Sequence, residues 1–415
     1  MRRVGVGSVS LSALEKQYVN EVLDSGRLSY GPFSERFEKE FAASIGCDDA
    51  VLVNSGTDAL RIAVHALYEE RGWTGRDLGY GRYEDAEVIC PASTFVATAN
   101  VILQNDLCPV FVDVEPETYN LDPSLIEAAI TDRTVAIMVA HLYGQPASMR
   151  PICQIADDHN LSVIEDSCET MSARYMGACV GSFGDIAAFS TYSCHIMSTG
   201  VGGIVTTNDT KLTELARSLA NHGRAPGYFS MGHGVCNSDK ELKRLLESRF
   251  RFERLGYSSR LTEMEAAIGC GQMQTLAQNV ARRREIAQKL IEGLPDEFFV
   301  FPYKFADRDH SYMMFPLIIG PFLNDYGIYE QPPFTRAEFT LGLEKRGIET
   351  RPMLSFLDQP VYIQMFGDIL RNFPVSANIA KNGFYIGCHP HMDDSDVAYV
   401  LESFREVTKE VSHGR

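Results

Sequence analysis

Short apolar runs alternate with helical stripes through the first two thirds of this chain. Residues 50–53, 87–91, 109–114, 135–141, 161–165, 186–189 and 203–207 each read as a buried strand. Between them, apolar residues recur every three or four positions. Leu11, Leu14, Tyr18 and Val22 mark a helix over 11–24, and Phe37, Phe41 and Ala42 mark one over 33–44. Further helices are expected over 58–67, 94–104, 123–130 and 149–160, then a charged one over 239–254 and a long one over 262–289. The strands are near-continuous apolar runs and do not alternate. That pattern belongs to a mostly parallel sheet covered by helices on both faces. From about Leu294 the pattern changes to proline-rich strands and helices. The expected architecture is α/β, with a large domain over 1–290 and a smaller C-terminal α+β domain over 291–415.

Ligands of such sheets sit beyond the carboxyl ends of the strands. Here those ends carry Asn54-Ser-Gly-Thr57, Pro91-Ala-Ser-Thr-Phe95, His141-Leu-Tyr-Gly144, Asp166 and the turn from Ser190 to His195. A strand–Ser-Gly-Thr–helix passage points free amides outward and suits a phosphate, although a Ser N-cap explains it equally well. Asp166 ends an apolar strand, where a carboxylate is costly unless it meets a cation or caps a helix. A protonated pyridine nitrogen is such a cation. Phe95 can stack on a flat ring, or simply pack in the core. A phosphate cup, a stacking aromatic and a strand-end aspartate together suggest pyridoxal phosphate (PLP).

Composition narrows the partners. The net charge of −17 disfavours nucleic acid and anionic membranes. The first residues lack a long apolar stretch and no apolar run reaches about 18 residues, so a cytoplasmic protein without signal peptide or membrane span is expected. The ten cysteines are scattered without a Cys-x-x-Cys spacing. They read as reduced and mostly in the core (Cys90, Cys108 and Cys270 among them), with no metal site; an iron–sulfur cluster on Cys168, Cys179, Cys194 and Cys236 is disfavoured by spacing. Residues 69–85 read as a surface loop, and together with 225–254 they are where substrate choice is expected.

These motifs give the chain its resemblance to the DegT/DnrJ/StrS family of sugar aminotransferases and dehydratases, which have the type I PLP-dependent transferase fold. The matching pieces are Ser29-Tyr-Gly31, Asn54-Ser-Gly-Thr57, Pro91-Ala-Ser-Thr-Phe95, Pro109-Val-Phe-Val-Asp-Val114, Glu165-Asp166, Gly184 to Gly203, Asn221-His-Gly223, and Leu255-Gly-Tyr-Ser-Ser-Arg260 with Glu263. The resemblance implies PLP or pyridoxamine phosphate (PMP) as cofactor, a nucleotide-linked keto-sugar as substrate, glutamate as amino donor, and a homodimer with a shared active site. It implies that Gly56, Thr57 and Ser190 hold the phosphate, that Phe95 stacks on the ring, that Asp166 pairs with the ring nitrogen, and that Glu169 lies on the ring hydroxyl side, where the aminotransferases usually have Gln. It also places Ser258 where the family has a phosphate-contacting Asn from the partner subunit.

One position breaks the pattern. Five residues after Ser190, where the family has its cofactor-binding lysine, stands His195, and no lysine occurs between 182 and 210. An imidazole cannot make the covalent link that a lysine amine makes, but it can still carry protons near neutral pH. Histidine at this position resembles the 3-dehydratases of 4-keto-6-deoxy sugars, which serve deoxysugar and lipopolysaccharide O-antigen synthesis. There PMP condenses with the C4 ketone, the histidine takes the C4′ proton, the C3 hydroxyl leaves, and ammonia is released on hydrolysis. C3 dehydration with His195 as acid/base is therefore the leading expectation. An aminotransferase-like enzyme with noncovalently held cofactor, or a non-catalytic subunit of the same fold, are the alternatives. Arg351 and Arg260 are the candidates for a diphosphate clamp.

Overall fold

The computed structural model describes residues 2–73, 86–225, 238–248, 250–295, 297–320, 322–323, 329–330 and 332–413. Two helices open the chain, α1 (Ala13–Ser25) and α2 (Pro32–Ile45). The main sheet follows, built from β1 (Asp49–Val53), β2 (Glu87–Pro91), β3 (Cys108–Val112), β4 (Thr134–Ala140) and β5 (Ser162–Asp166). A small hairpin, β6 (Arg174–Tyr175) and β7 (Ala178–Cys179), precedes β8 (Ile186–Ser190) and β9 (Gly203–Thr207). The seven strands lie in the order β1-β9-β8-β5-β4-β2-β3. Only β9 runs against its neighbours. The strands β1, β2, β4, β5 and β8 therefore all end at the same edge.

Both faces of this sheet are covered, as the unbroken apolar runs require. Val88, Cys90, Ala136, Met138 and Ile164 point to a core shared with helix α3 (Gly56–Glu70), α4 (Val96–Gln104) and α6 (Thr210–Ala220). Ile89, Ile137, Val139 and Val163 point the other way, towards helix α5 (Met149–His159). At the β1 end, Leu52, Ala187 and Ile204 pack with Phe37 and Phe41 of α2. Burial of each such Val, Leu, Ile, Phe or Met side chain contributes about 1.5–3 kcal/mol.

Two polar devices in the family-like motifs are structural. Glu263 opens the long helix Glu263–Gly293 and is buried. Its carboxylate accepts from the amides of Gly31 (2.7 Å), Phe33 (2.6 Å) and Ser34 (3.2 Å) and from Ser34 Oγ (2.6 Å). It thus closes the free N-terminus of α2, where an anion is favoured. Asp113 does the same for a helix of the C-terminal part, Pro374–Asn382, accepting from Val375 N, Ser376 N and Ser376 Oγ.

The C-terminal part carries a four-stranded antiparallel sheet made by Phe299–Val300, Met314–Ile319, Gly383–Gly387 and Thr350–Pro352. The helices Arg336–Lys345 and Asp394–His413 join Phe315, Phe339, Phe384 and Phe404 into its core. Ile286, Ala287 and Leu290 from the end of the long helix belong to the same core, as does Val4.

Several expectations need correction. Residues 123–130 form two short 3₁₀ turns, Pro123–Leu125 and Glu127–Ala129, not an α-helix. Only Ile126 of that stretch is buried, so no apolar stripe holds a longer helix. Helix α3 continues through Glu70, which shortens the expected loop; the rest of that loop, 74–85, lies outside the described residues, as do 226–237. The charged helix ends at Ser248, not at 254. Cys47, Cys90, Cys179, Cys270 and Cys388 are buried, but Cys108 opens an edge strand and is exposed, and so is Cys194. No helix among the described residues is long and apolar enough to cross a membrane.

Candidate active site

The common edge of the strands opens into a cavity of about 510 Å³. Gly56, Thr57, Phe95, Asp166, Glu169, Ser190 and His195 all line it. The structure therefore brings together all seven residues expected to hold the cofactor or carry the proton. Val6, Tyr192, Cys194, Met313, Met314, Arg351, Leu354 and Tyr385 are also on the wall. The N-terminal segment and the small sheet thus form part of the same cavity.

The phosphate-type corner is built where α3 starts. Ser55 is the N-cap, and its hydroxyl accepts from Asp58 N at 3.1 Å. Gly56 and Thr57 open the helix, so their amides are ones a helix leaves unpaired. A Cβ on Gly56 would lie 2.6 Å from Ser190 Cβ and 3.0 Å from Cys168 Sγ. Only glycine lets the helix start this close to the end of β8. Beside it, Asn54 Oδ1 is buried without a hydrogen-bond partner among the described residues.

Asp166 lies at the bottom. Its oxygens accept from Thr98 Oγ1 (2.8 Å) and from the Cys168 amide (3.2 Å), neither of them a cation. Burial holds its pKa above the ordinary carboxylate value, against those two hydrogen bonds. A positively charged ring nitrogen would answer this need. Phe95, at the N-cap of α4, is 51% exposed and lines the cavity, where its ring can cover a flat ligand. Burial likewise pushes Glu169 up to about 7; the Tyr143 amide, donating at 2.9 Å, opposes this and the charge of Asp166 adds to it. These groups fit a phosphorylated, protonated pyridine: amides and hydroxyls at one end, an unpaired carboxylate at the other.

His195 lies in the tight return between β8 and β9, which pair antiparallel with Ser190 opposite Gly203. Gly203 has no room for a side chain, since a Cβ would meet the Ser55 carbonyl at 2.1 Å. The His195 ring Nδ1 lies 3.3 Å from the Ser190 carbonyl. A carbonyl only accepts, so a proton on Nδ1 meets it, and the backbone of Cys168 is a second partner of the ring. Burial holds the imidazole down at about 4, so it is neutral at pH 7. No lysine is among the described residues that line the cavity.

Of the two arginine candidates, Arg351 reaches the cavity, where it is paired with Glu349. Arg260 does not line it; it forms a surface cluster with Asn221 (3.1 Å) and Ser258 (3.0 Å). Sequence reasoning missed Tyr143. Its backbone has a positive φ of 59°, its amide holds Glu169, and its hydroxyl accepts from Leu354 N at 2.8 Å. Glu165 adjoins Asp166 in the family-like motif but does not line the cavity. Glu165 is instead turned inward, accepting from the amides of Gly181, Phe183 and Gly184 and from His141 Nε2.

The matching family model is the DegT/DnrJ/EryC1/StrS aminotransferase family, over residues 10–405. The chain belongs to this family. Its relatives include a dTDP-4-dehydro-2,6-dideoxy-D-glucose 3-dehydratase of Saccharopolyspora spinosa, 33% identical over 92% of this chain and 81% of the relative. A GDP-perosamine synthase of Caulobacter vibrioides is 32% identical over 98% of both chains. Among solved structures, the E. coli GDP-4-keto-6-deoxy-D-mannose-3-dehydratase with bound hydrated PLP superposes with a TM-score of 0.82 at 26% identity, covering 97% of this chain and all of that one. The fold is the type I fold of PLP-dependent transferases, and the chain is an enzyme of this PLP-dependent sugar aminotransferase and dehydratase family.

Proposed function

We propose that the protein binds PLP or PMP noncovalently and removes the C3 hydroxyl of a nucleotide-linked 4-keto-6-deoxy sugar, with glutamate restoring the amine form. The observation that carries this reading is His195 in a cavity that otherwise has the cofactor's requirements and no lysine on its wall. When bound as PMP, the cofactor supplies an amine for the C4 ketone and an electron sink that lets the C3 oxygen leave.

The chain's own residues divide the work. The first amides of α3, with Thr57 and Ser190, hold the phosphate. Phe95 covers the ring. Asp166 keeps the ring nitrogen protonated, which preserves the electron sink. The His195 imidazole accepts and returns the proton at C4′; its neutral state at pH 7 makes it ready to act as a base. Glu169, with a pKa raised to about 7, holds a proton on the ring hydroxyl side. Arg351 lies on the cavity wall that the small sheet contributes, in position for the diphosphate. We place the active site at the interface of a homodimer in the cytoplasm, with Ser258 and Arg260 facing the partner subunit's cavity.

A second reading, amino transfer with an external amine freeing the product, is favoured by the equal closeness of the GDP-perosamine synthase relative. One experiment separates the two. PMP-loaded protein is incubated with glutamate and a panel of nucleotide-linked 4-keto-6-deoxy sugars. Loss of the C3 oxygen with release of ammonia is expected; an amino sugar product would refute dehydration.

A further inference from the structure

Arg283, on the long helix, plays no part in the chemistry above, yet its environment is unusual. The residue is 3% exposed and none of its hydrogen bonds goes to a carboxylate. Nη1 donates to the carbonyls of Tyr312 (3.2 Å), Met313 (2.7 Å) and Cys388 (2.7 Å), and Nη2 to the carbonyl of His195 (3.5 Å). Nε has no partner among the described residues. Burying a guanidinium without an anion is costly. Such a group persists for what it joins.

What it joins is specific. Tyr312 and Met313 lead into the strand Met314–Ile319, and Cys388 follows the neighbouring strand Gly383–Gly387. Met313 and Met314 wall the cavity. His195 lies in the return after β8, where Ile196 and Met197 share a core with Met313 and Met314, and this fork adds a hydrogen-bonded tie to the C-terminal sheet. We propose that Arg283 is a positioning residue for His195: it fastens the main chain of the His195 turn to the two small-sheet strands beside the cavity, so that seating the C-terminal part and placing the imidazole are one arrangement. A rigid planar fork of donors can hold these four carbonyls in fixed relation, where a lysine offers a flexible point charge.

The proposal rests on the reading of His195 as the proton carrier. The ring shares its cavity with Asp166, Cys168 and Glu169 from the end of β5 and with Tyr192 and Cys194 of its own turn. Arg351 and Tyr385 face it from the small sheet. Burial is the main reason the imidazole stays neutral, and the positive charge of Arg283 acts in the same direction.

The test compares wild type, Arg283→Met and Arg283→Lys in the full chain. The His195 titration is read by NMR of histidine-labelled protein, assigned with His195→Asn, and turnover is measured beside it. For Arg283→Met, the His195 midpoint should rise by at least half a pH unit and kcat should fall tenfold or more, with KM within threefold. Arg283→Lys keeps the charge and loses the fork; its midpoint should stay near wild type while kcat still falls about fivefold or more. If Arg283→Met does not fold, the lysine variant decides: unchanged kcat overturns the proposal. A folded Arg283→Met with unchanged midpoint and kcat also overturns it. Full activity in His195→Asn would instead refute the underlying reading of His195.

Discussion

Replacing Asp166 by Asn should move two measurable quantities in opposite directions. The carboxylate is 7% exposed, and its two hydrogen bonds come from a hydroxyl and an amide. Asn can keep both. Its oxygen accepts from Cys168 N, and its NH₂ donates to Thr98 Oγ1, which can turn its own proton to Thr94 Oγ1 at 3.0 Å. The cofactor-free protein therefore loses a buried charge and no hydrogen bond, and should gain about 1 kcal/mol, or about 1–2 °C in Tm for a chain of this size. The folded pKa of Asp166 is raised, so the folded state prefers the proton. The gain is therefore present at neutral pH and fades as pH falls towards the ordinary carboxylate range. Cofactor binding should respond the other way. Removing one member of a buried, hydrogen-bonded charge pair costs about 2–5 kcal/mol, which is about 30-fold to several-thousand-fold in Kd. Thermal melts of the cofactor-free protein and an absorbance titration with PLP measure both. Equal affinity within threefold, or a cofactor-free Tm more than 3 °C below wild type, would refute the assignment of Asp166 to the ring nitrogen.

His195→Asn should abolish turnover while PMP affinity stays within a few-fold of wild type; retained turnover removes His195 as the acid/base. Glu169→Gln should raise the cofactor-free Tm at pH 8 and raise it much less at pH 5. The folded carboxyl titrates near 7, so its penalty grows as pH rises from the ordinary carboxylate value through 7 and reaches at most about 3 kcal/mol. A Tm difference that does not vary with pH would contradict this. Glu263→Ala should cost about 3–5 kcal/mol by leaving three amides and a hydroxyl without their acceptor, seen as a loss of several degrees in Tm.

The sequence made the sheet and its functional edge readable because both rest on local signals. Unbroken apolar runs such as 135–141 and 161–165 need burial on two faces, and each ends in a polar residue at the same side of the sheet. The break at His195 was visible for the same reason: it is one residue at a fixed distance from Ser190. What stayed hidden depends on tertiary pairing. Nothing near Tyr143 announces a left-handed backbone, and nothing near Arg283 announces that its partners are carbonyls about 30 and 105 residues away. Glu165 and Asp166 look equivalent in the chain, and the strand's alternation alone sends one inward to three loop amides and the other to the cavity. The short turns at 123–130 were misread because composition favours a helix there and only the missing buried stripe forbids it.

The beginning of the chain ends up against its last third. Val4 bridges Ile348, with hydrogen bonds of 2.9 Å from Val4 N to Gly347 O and from Glu349 N to Val4 O, and a Cβ on Gly387 would strike the Gly5 carbonyl. Two residues on, Val6 is cavity wall. During synthesis, Val4 must wait for more than 340 further residues before its partners exist, the kind of distant pairing that slows folding. The cavity wall is complete only once Tyr385 has been made. A nascent chain therefore cannot recruit its ligand early, and deleting Val6 with its neighbours would open the wall.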